Sequence, residues 1–181
     1  MLSFRHTHTG TITLSVLAKK DGHCCPSLPL EVVAGAGAEI GELRRHRHLE
    51  RQRGLGGVLR RGEEDVARRV AEMQPLLTAV VVYGHNPSAS TQVMPAAGAI
   101  CTAIKEESPW LRVLLLGGHV AALPERTLLE EQTDYVCGGE GPATVADLLE
   151  AFTSHQQPDL RKVHDLWYRE GDGIVRTQAA P

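Results

Sequence analysis

A doubly wound α/β domain built on a five-stranded parallel sheet is the fold class this sequence predicts, and three observations predict it. Short apolar runs recur without polar alternation at residues 79–83, 113–116 and 135–137. Such β-branched and aliphatic runs fit strands buried on both faces. Segments with helical spacing separate them, and strand and helix in repeated alternation demand right-handed crossovers between parallel strands. At 181 residues the chain is long enough for one domain with a full core.

In chain order, a short strand is expected at residues 1–4. Leu14, Val16, Leu17 and Ala18, ahead of Lys19-Lys20-Asp21-Gly22-His23, predict a helix closed by a glycine. Residues 24–28, interrupted by Pro26, predict a weak strand at or near an edge, because proline donates nothing to a ladder. Residues 34–62 carry Arg44-Arg45-His46-Arg47-His48, Arg51-Gln52-Arg53 and the glycines Gly54, Gly56 and Gly57, and predict an exposed, partly mobile basic insertion. Lacking interleaved aromatics, it reads as a solvated loop rather than a nucleic-acid patch.

Residues 63–74 predict a helix with Val66, Val70 and Met73 facing inward. After the strand at 79–83, Val93, Ala97, Ile100, Cys101 and Ile104 share a helical face until Pro109 ends the segment. Pro124, after the strand at 113–116, suits a first helical turn. Gly141-Pro142, after the strand at 135–137, opens a helix with Val145, Leu148, Leu149 and Phe152 on one side. Residues 166–169, the turn Glu170-Gly171-Asp172-Gly173 and residues 174–176 then predict a β-hairpin whose aromatics pack on the domain. Residues 1–154 are thus expected to form the α/β domain, and 155–181 its closing hairpin and tail.

A formal net charge of −3 gives no bulk electrostatic reason for nucleic acid or an anionic membrane as partner. No run approaches the roughly 20 apolar residues of a membrane span, and residues 1–10 lack a secretory apolar stretch. A cytoplasmic protein with a small-molecule or protein partner is expected. The four cysteines, Cys24, Cys25, Cys101 and Cys137, form neither a disulfide framework nor a zinc pattern, and reduced, mostly buried thiols are expected.

In an open parallel sheet, ligands bind beyond the carboxyl ends of the strands. The loops there are Arg5-His6-Thr7-His8-Thr9-Gly10, the run from Gly84 to Thr91, Gly117-Gly118-His119, and Gly138-Gly139-Glu140-Gly141. Glycines let backbone amides approach a bulky ligand, and hydroxyls donate or accept at its polar edges. That chemistry suits a large cofactor carrying amides and a phosphate. The candidate binding residues are Thr9, Gly10, Ser88, Ser90, Thr91, Gly117, Gly118, His119, Gly138, Gly139, Glu140 and Gly141.

Ser88-Ala89-Ser90, separated from Gly117-Gly118 by the run from Thr91 to Leu116, has the spacing of the serine loop and glycine pair of cobalamin-binding domains, with Ser90 where that motif has leucine. Further residues extend the likeness: Ala103-Ile104-Lys105-Glu106, Leu114-Leu115-Leu116-Gly117-Gly118-His119, Leu123-Pro124-Glu125, Asp134-Tyr135-Val136 and Gly139-Glu140-Gly141. Residues 79–176 therefore resemble the cobalamin-binding domain of cobalamin-dependent radical S-adenosylmethionine enzymes, and residues 17–23 resemble that family's first helix. The resemblance implies cobalamin (methylcobalamin or hydroxocobalamin) as cofactor. It implies as partner a separate radical S-adenosylmethionine subunit or domain that performs methyl transfer.

Two departures bear on mechanism. Classical cobalamin modules carry Asp-x-His-x-x-Gly, and counting back from Gly10 puts Thr7 at the histidine, flanked by His6 and His8. No protein ligand to cobalt is therefore expected, as in the radical S-adenosylmethionine branch, which often lacks that histidine. The family's Cys-x-x-x-Cys-x-x-Cys is also missing, so no iron–sulfur cluster and no catalytic residue are expected here. The chain ends where the family's barrel normally begins, which predicts a truncated gene, a split subunit or an excised domain.

Each site residue has a plainer reading. His119 fits a helix start that bonds locally, and Glu140 a carboxylate favoured at a helix N-terminus. Adjacent Cys24-Cys25 bridge only with strain. The competing function is a degenerate α/β module used for interaction or regulation, since a fold does not fix function. A flavodoxin-like enzyme or a phosphoacceptor domain ranks third, because the first-strand loop lacks the acidic cluster or phosphate-binding run either needs.

Overall fold

The computed structural model describes residues 62–83, 87–154 and 158–180, together with five strands between residues 11 and 45; these strands, residues 87–89 and residue 154 are described by backbone alone. The strands are β1 (Thr11–Leu17), β2 (Lys19–Lys20), β3 (His23–Cys24), β4 (Leu28–Val33), β5 (Leu43–Arg45), β6 (Leu77–Tyr83), β7 (Val113–Gly117), β8 (Tyr135–Cys137), β9 (Leu166–Glu170) and β10 (Gly173–Arg176). The helices are α1 (Glu63–Met73), α2 (Pro87–Glu107), α3 (Gly118–Ala122), α4 (Pro124–Glu130) and α5 (Pro142–Ser154), with a 3-10 turn at Leu160–Lys162.

One sheet runs in the order β10-β9-β8-β7-β6-β1-β4-β5, and β2 and β3 pair separately. The α/β class and the flanking helices stand, whereas the sheet is mixed rather than fully parallel. β6, β7 and β8 are parallel. β9 joins β8 antiparallel and turns into β10, so the hairpin extends the sheet. On the other side β1 runs antiparallel to β6, with Thr11 opposite Tyr83 and Leu17 opposite Leu77.

Strand alternation divides the core cleanly. Val80 and Val82, Val113 and Leu115, and Val136 face one layer, where they meet Val66 and Val70 of α1, Ala97, Ile100 and Ile104 of α2, Val120 of α3 and Leu128 of α4. Leu77 and Ala79, Leu114 and Leu116, and Cys137 face the other, against Leu148 of α5 and Val163, with Leu149 and Phe152 packed alongside. Trp167 packs on the first layer and Tyr168 on the second. Strands covered on both faces have no reason to alternate with polar residues, which is why their runs are uniformly apolar.

The N-terminal part departs from expectation. The segment at Leu14–Ala18, expected to be helical, falls largely in β1, since Thr11, Ile12, Thr13 and Val16 suit a pleated surface and the edge of β6 supplies the pairing. The described residues of the stretch likened to a first helix are likewise strand: Lys19–Lys20 and His23–Cys24 form a two-stranded ladder. The strand expected at 24–28 instead occupies Leu28–Val33, with Pro29 beyond the β5 ladder, where its missing N–H costs that pairing nothing. Leu43–Arg45 forms β5 within the segment expected as a mobile insertion. The strand expected at residues 1–4 and most of 34–62 lie outside the described residues.

The helices follow the sequence reading more closely. Val66 and Val70 of α1 are buried as expected, and Pro124 occupies the first turn of α4. α2 begins at Pro87, earlier than the apolar spacing alone indicates. At the amino ends of β7 and β8, Lys105 Nζ donates to the carbonyls of Pro109 and Leu111 at 2.8 and 2.9 Å and to Asp134 at 3.0 Å. Asp134 also accepts the Val113 N–H at 2.8 Å. This clamp fixes the end of α2 to both strands.

Candidate functional site

Because β6, β7 and β8 are parallel, their carboxyl ends share one edge of the sheet. β9 starts at the same edge, with Leu166 opposite Cys137. The turns following β7 and β8 both belong to this edge, and they are built differently.

After β7, Gly117 has φ 138° and ψ 176°, a conformation essentially confined to glycine. A Cβ there would lie 2.0 Å from the carbonyl oxygen of Val82, so the chain turns hard against β6. Gly118 is exposed, and among the described residues a Cβ on it would meet only Ser90 Oγ, at 3.7 Å. His119 follows, half-buried, with Nδ1 2.9 Å from Thr91 Oγ1. Ser90 is 3% exposed. Ser90, Thr91, Gly117, Gly118 and His119 are therefore brought together. Ser88 to Thr91, read from sequence as a post-strand loop, form the first turns of α2; Pro87 supplies a helix-compatible start.

After β8, the Gly138 N–H donates to the Asp165 carbonyl at 2.8 Å. A Cβ on Gly138 would sit 2.8 Å from Trp167 Nε1, and one on Gly139 would sit 2.5 Å from Asp165 Oδ2. Gly141 has φ 96°, and its Cβ would meet Leu116 Cδ1 at 2.6 Å. Glu140 is exposed just ahead of α5, where a carboxylate favours the helix start. These four predicted residues thus share the edge, but chain packing already accounts for the three glycines.

Beneath this turn, Cys137 Sγ accepts the Gly139 N–H at 3.4 Å and lies 3.2 Å from Thr144 Oγ1, which donates to the His164 carbonyl at 2.9 Å. His164 places its backbone N–H and ring Nδ1 at 3.0 and 2.7 Å from Asp147 Oδ2. Burial pushes the Asp147 carboxyl up, but the backbone and ring hydrogen bonds from His164 and the ring's charge outweigh it, leaving the group below the usual carboxylate value. Sequence reasoning misses Asp147, His164, Asp165 and Trp167, because their partners lie many residues away and no local spacing announces them.

Thr9 and Gly10 lie outside the described residues, as do Thr7, His6 and His8. Cys101 and Cys137 are buried free thiols; burial, then the charges of Glu131 and Asp134, push the Cys101 thiol well up. Among the described residues, no group of three or more His, Cys, Asp or Glu side chains is placed to hold a metal ion. No described helix is long and apolar enough to cross a membrane. A groove of about 750 Å³ beside β10 is lined by Arg161, Lys162, His164 and Arg176 but by none of the predicted site residues. Its Arg161 and Lys162 pair with Glu170 and Asp159.

The fold and this edge define an α/β domain with small and hydroxyl side chains gathered where parallel strands end. By sequence the chain is a distant relative of the anaerobic magnesium-protoporphyrin IX monomethyl ester cyclase of Synechocystis sp., with 32% identity over 139 residues. The match covers 70% of this chain and 27% of the cyclase, so the chain spans about a quarter of its relative's length. No family model matches the chain.

Proposed function

We propose that this chain is a cobalamin-binding module. The corrin lies over the carboxyl edge of β6, β7 and β8, and its nucleotide tail enters between the start of α2 and Gly117-Gly118. The observation that carries this reading is the convergence of the start of α2 with the turn after β7, far apart in sequence, made physical by the 2.9 Å Thr91–His119 contact and by the face of Gly118 that, among the described residues, meets only Ser90. Gly118 leaves room for backbone to approach a bulky ligand, and Tyr83, 64% exposed at the end of β6, adds apolar surface to the same edge.

When bound, the cofactor supplies a transferable methyl group, while the protein supplies position and electrostatics. The chain lacks Cys-x-x-x-Cys-x-x-Cys, so an iron–sulfur cluster, and with it methyl transfer to a substrate radical, would belong to a partner subunit or domain. The relative is named for action on a magnesium-porphyrin ester, and a large macrocyclic ligand is in keeping with that company.

A second reading, an interaction or regulatory module without cofactor, draws on the turn after β8, where Asp165 and Trp167 already fill the space beside Gly138 and Gly139. Titration of the purified chain with hydroxocobalamin, followed by visible spectroscopy after free ligand is removed, separates the two. Stoichiometric retention supports the cobalamin module. A folded chain that retains none leaves the interaction module as the better account.

A further inference from the structure

Two features of the first turn bear on ligand recognition. His119 is the first side chain after the glycine pair, and its Nδ1 is engaged by Thr91 Oγ1 across 28 residues of sequence. Among the described residues its Nε2 has no hydrogen-bond partner, although the ring is half-buried beside the exposed Gly118. An imidazole fixed through one nitrogen presents the other in a set direction, which is how a neighbouring group makes histidine a defined contact. We infer that Thr91 and His119 act as a coupled pair in ligand recognition, with Thr91 positioning the ring and Nε2 making the polar contact to the periphery of a cofactor seated on Gly117-Gly118. This rests on the cobalamin reading. An amide-bearing ligand offers both donors and acceptors, so either ring tautomer finds a partner on it.

The alternative is that the pair merely ties α2 to α3. The two roles differ in what each substitution should do. His119→Asn keeps a group near Nδ1 for Thr91 but removes Nε2, whereas His119→Gln keeps a polar group near the Nε2 position. Thr91→Val removes the positioning hydroxyl at nearly constant shape, and Thr91→Ser restores it.

Dissociation constants for methylcobalamin are measured on the parent chain, these single variants and the Thr91→Val/His119→Asn double variant, with circular dichroism and melting curves run alongside. One neutral hydrogen bond corresponds to roughly a tenfold loss for His119→Asn, and partial misplacement of the ring to about threefold for Thr91→Val. Thr91→Ser should stay within about twofold of the parent and His119→Gln should lose about threefold, as Thr91→Val does, since Gln offers Thr91 nothing at the Nδ1 position; the double variant should bind no worse than His119→Asn alone, because the hydroxyl acts on the ligand only through the ring. Parent binding that persists unchanged in folded Thr91→Val and His119→Asn overturns the pair while leaving the cobalamin reading intact, and so do losses that multiply in the double variant. A parent chain that binds no cobalamin overturns the cobalamin reading, and the pair's proposed role with it.

Discussion

The turns after β7 and β8 carry the same signal in sequence, a glycine pair at the end of a buried strand, and the structure gives them different physical causes. Gly117 is required by backbone conformation and by the carbonyl of Val82, but Gly118 beside it is exposed with, among the described residues, only Ser90 Oγ in ordinary contact range. Gly138 and Gly139 are hemmed in by Trp167 and Asp165 from the hairpin. Among the described residues, one turn is left open and the other is occupied by the chain itself. A glycine-rich loop therefore marks close approach without saying whether a ligand or the protein's own backbone approaches.

That contrast can be broken by substitution. The largest effect is expected for Gly117→Ala, which places a Cβ 2.0 Å from a backbone carbonyl at φ 138°. Strain of that kind should cost about 3 kcal/mol or more, read as a lower urea midpoint. Gly139→Ala should cost less, about 1–3 kcal/mol, because the Asp165 side chain at 2.5 Å has to shift. Its effect on cobalamin affinity should be small, since the turn faces the hairpin. Equal stability of Gly139→Ala and the parent would show that the second turn is not held as described.

A smaller effect sharpens the account of the second turn. Asp147, hydrogen-bonded to His164, titrates below its ordinary value of 3.8 in the folded chain. A carboxyl lowered on folding contributes stability above its unfolded pKa and loses it as pH falls through the folded value. Acid unfolding curves below about pH 4 should therefore be shallower for Asp147→Asn than for the parent. Curves of identical slope would mean the pair contributes nothing to acid stability. At neutral pH the pair's exposure keeps its contribution modest.

Much of this was legible in the sequence where local pattern and tertiary surroundings agree. The runs of β6, β7 and β8, Pro124 at the start of α4 and the glycine turn of the hairpin all state their structure locally. Leu14–Ala18 misled because Leu14, Leu17 and Ala18 also fit a helical spacing, and pairing with β6 decided in favour of strand. The candidate edge was partly legible: spacing put Ser90 and Thr91 near Gly117-Gly118, and the structure brings them together. The neighbours of Gly138 and Gly139 were not, since Asp165 and Trp167 reach them only through antiparallel pairing of β9 with β8. Whether a post-strand turn is empty or filled depends on such distant residues, which explains why the two glycine pairs look alike in sequence.

The central claim is that the open turn, and not the filled one, receives cobalamin, and a titration of Gly118→Leu beside the parent chain tests it most directly. Among the described residues the new Cβ meets only Ser90 Oγ, at 3.7 Å, so the variant should keep the parent's circular dichroism and melting temperature. The account predicts that the parent retains hydroxocobalamin stoichiometrically after free ligand is removed, while folded Gly118→Leu retains little or none. Equal retention by both would contradict the placement of the cofactor on this turn, and no retention by either would contradict the cobalamin module itself.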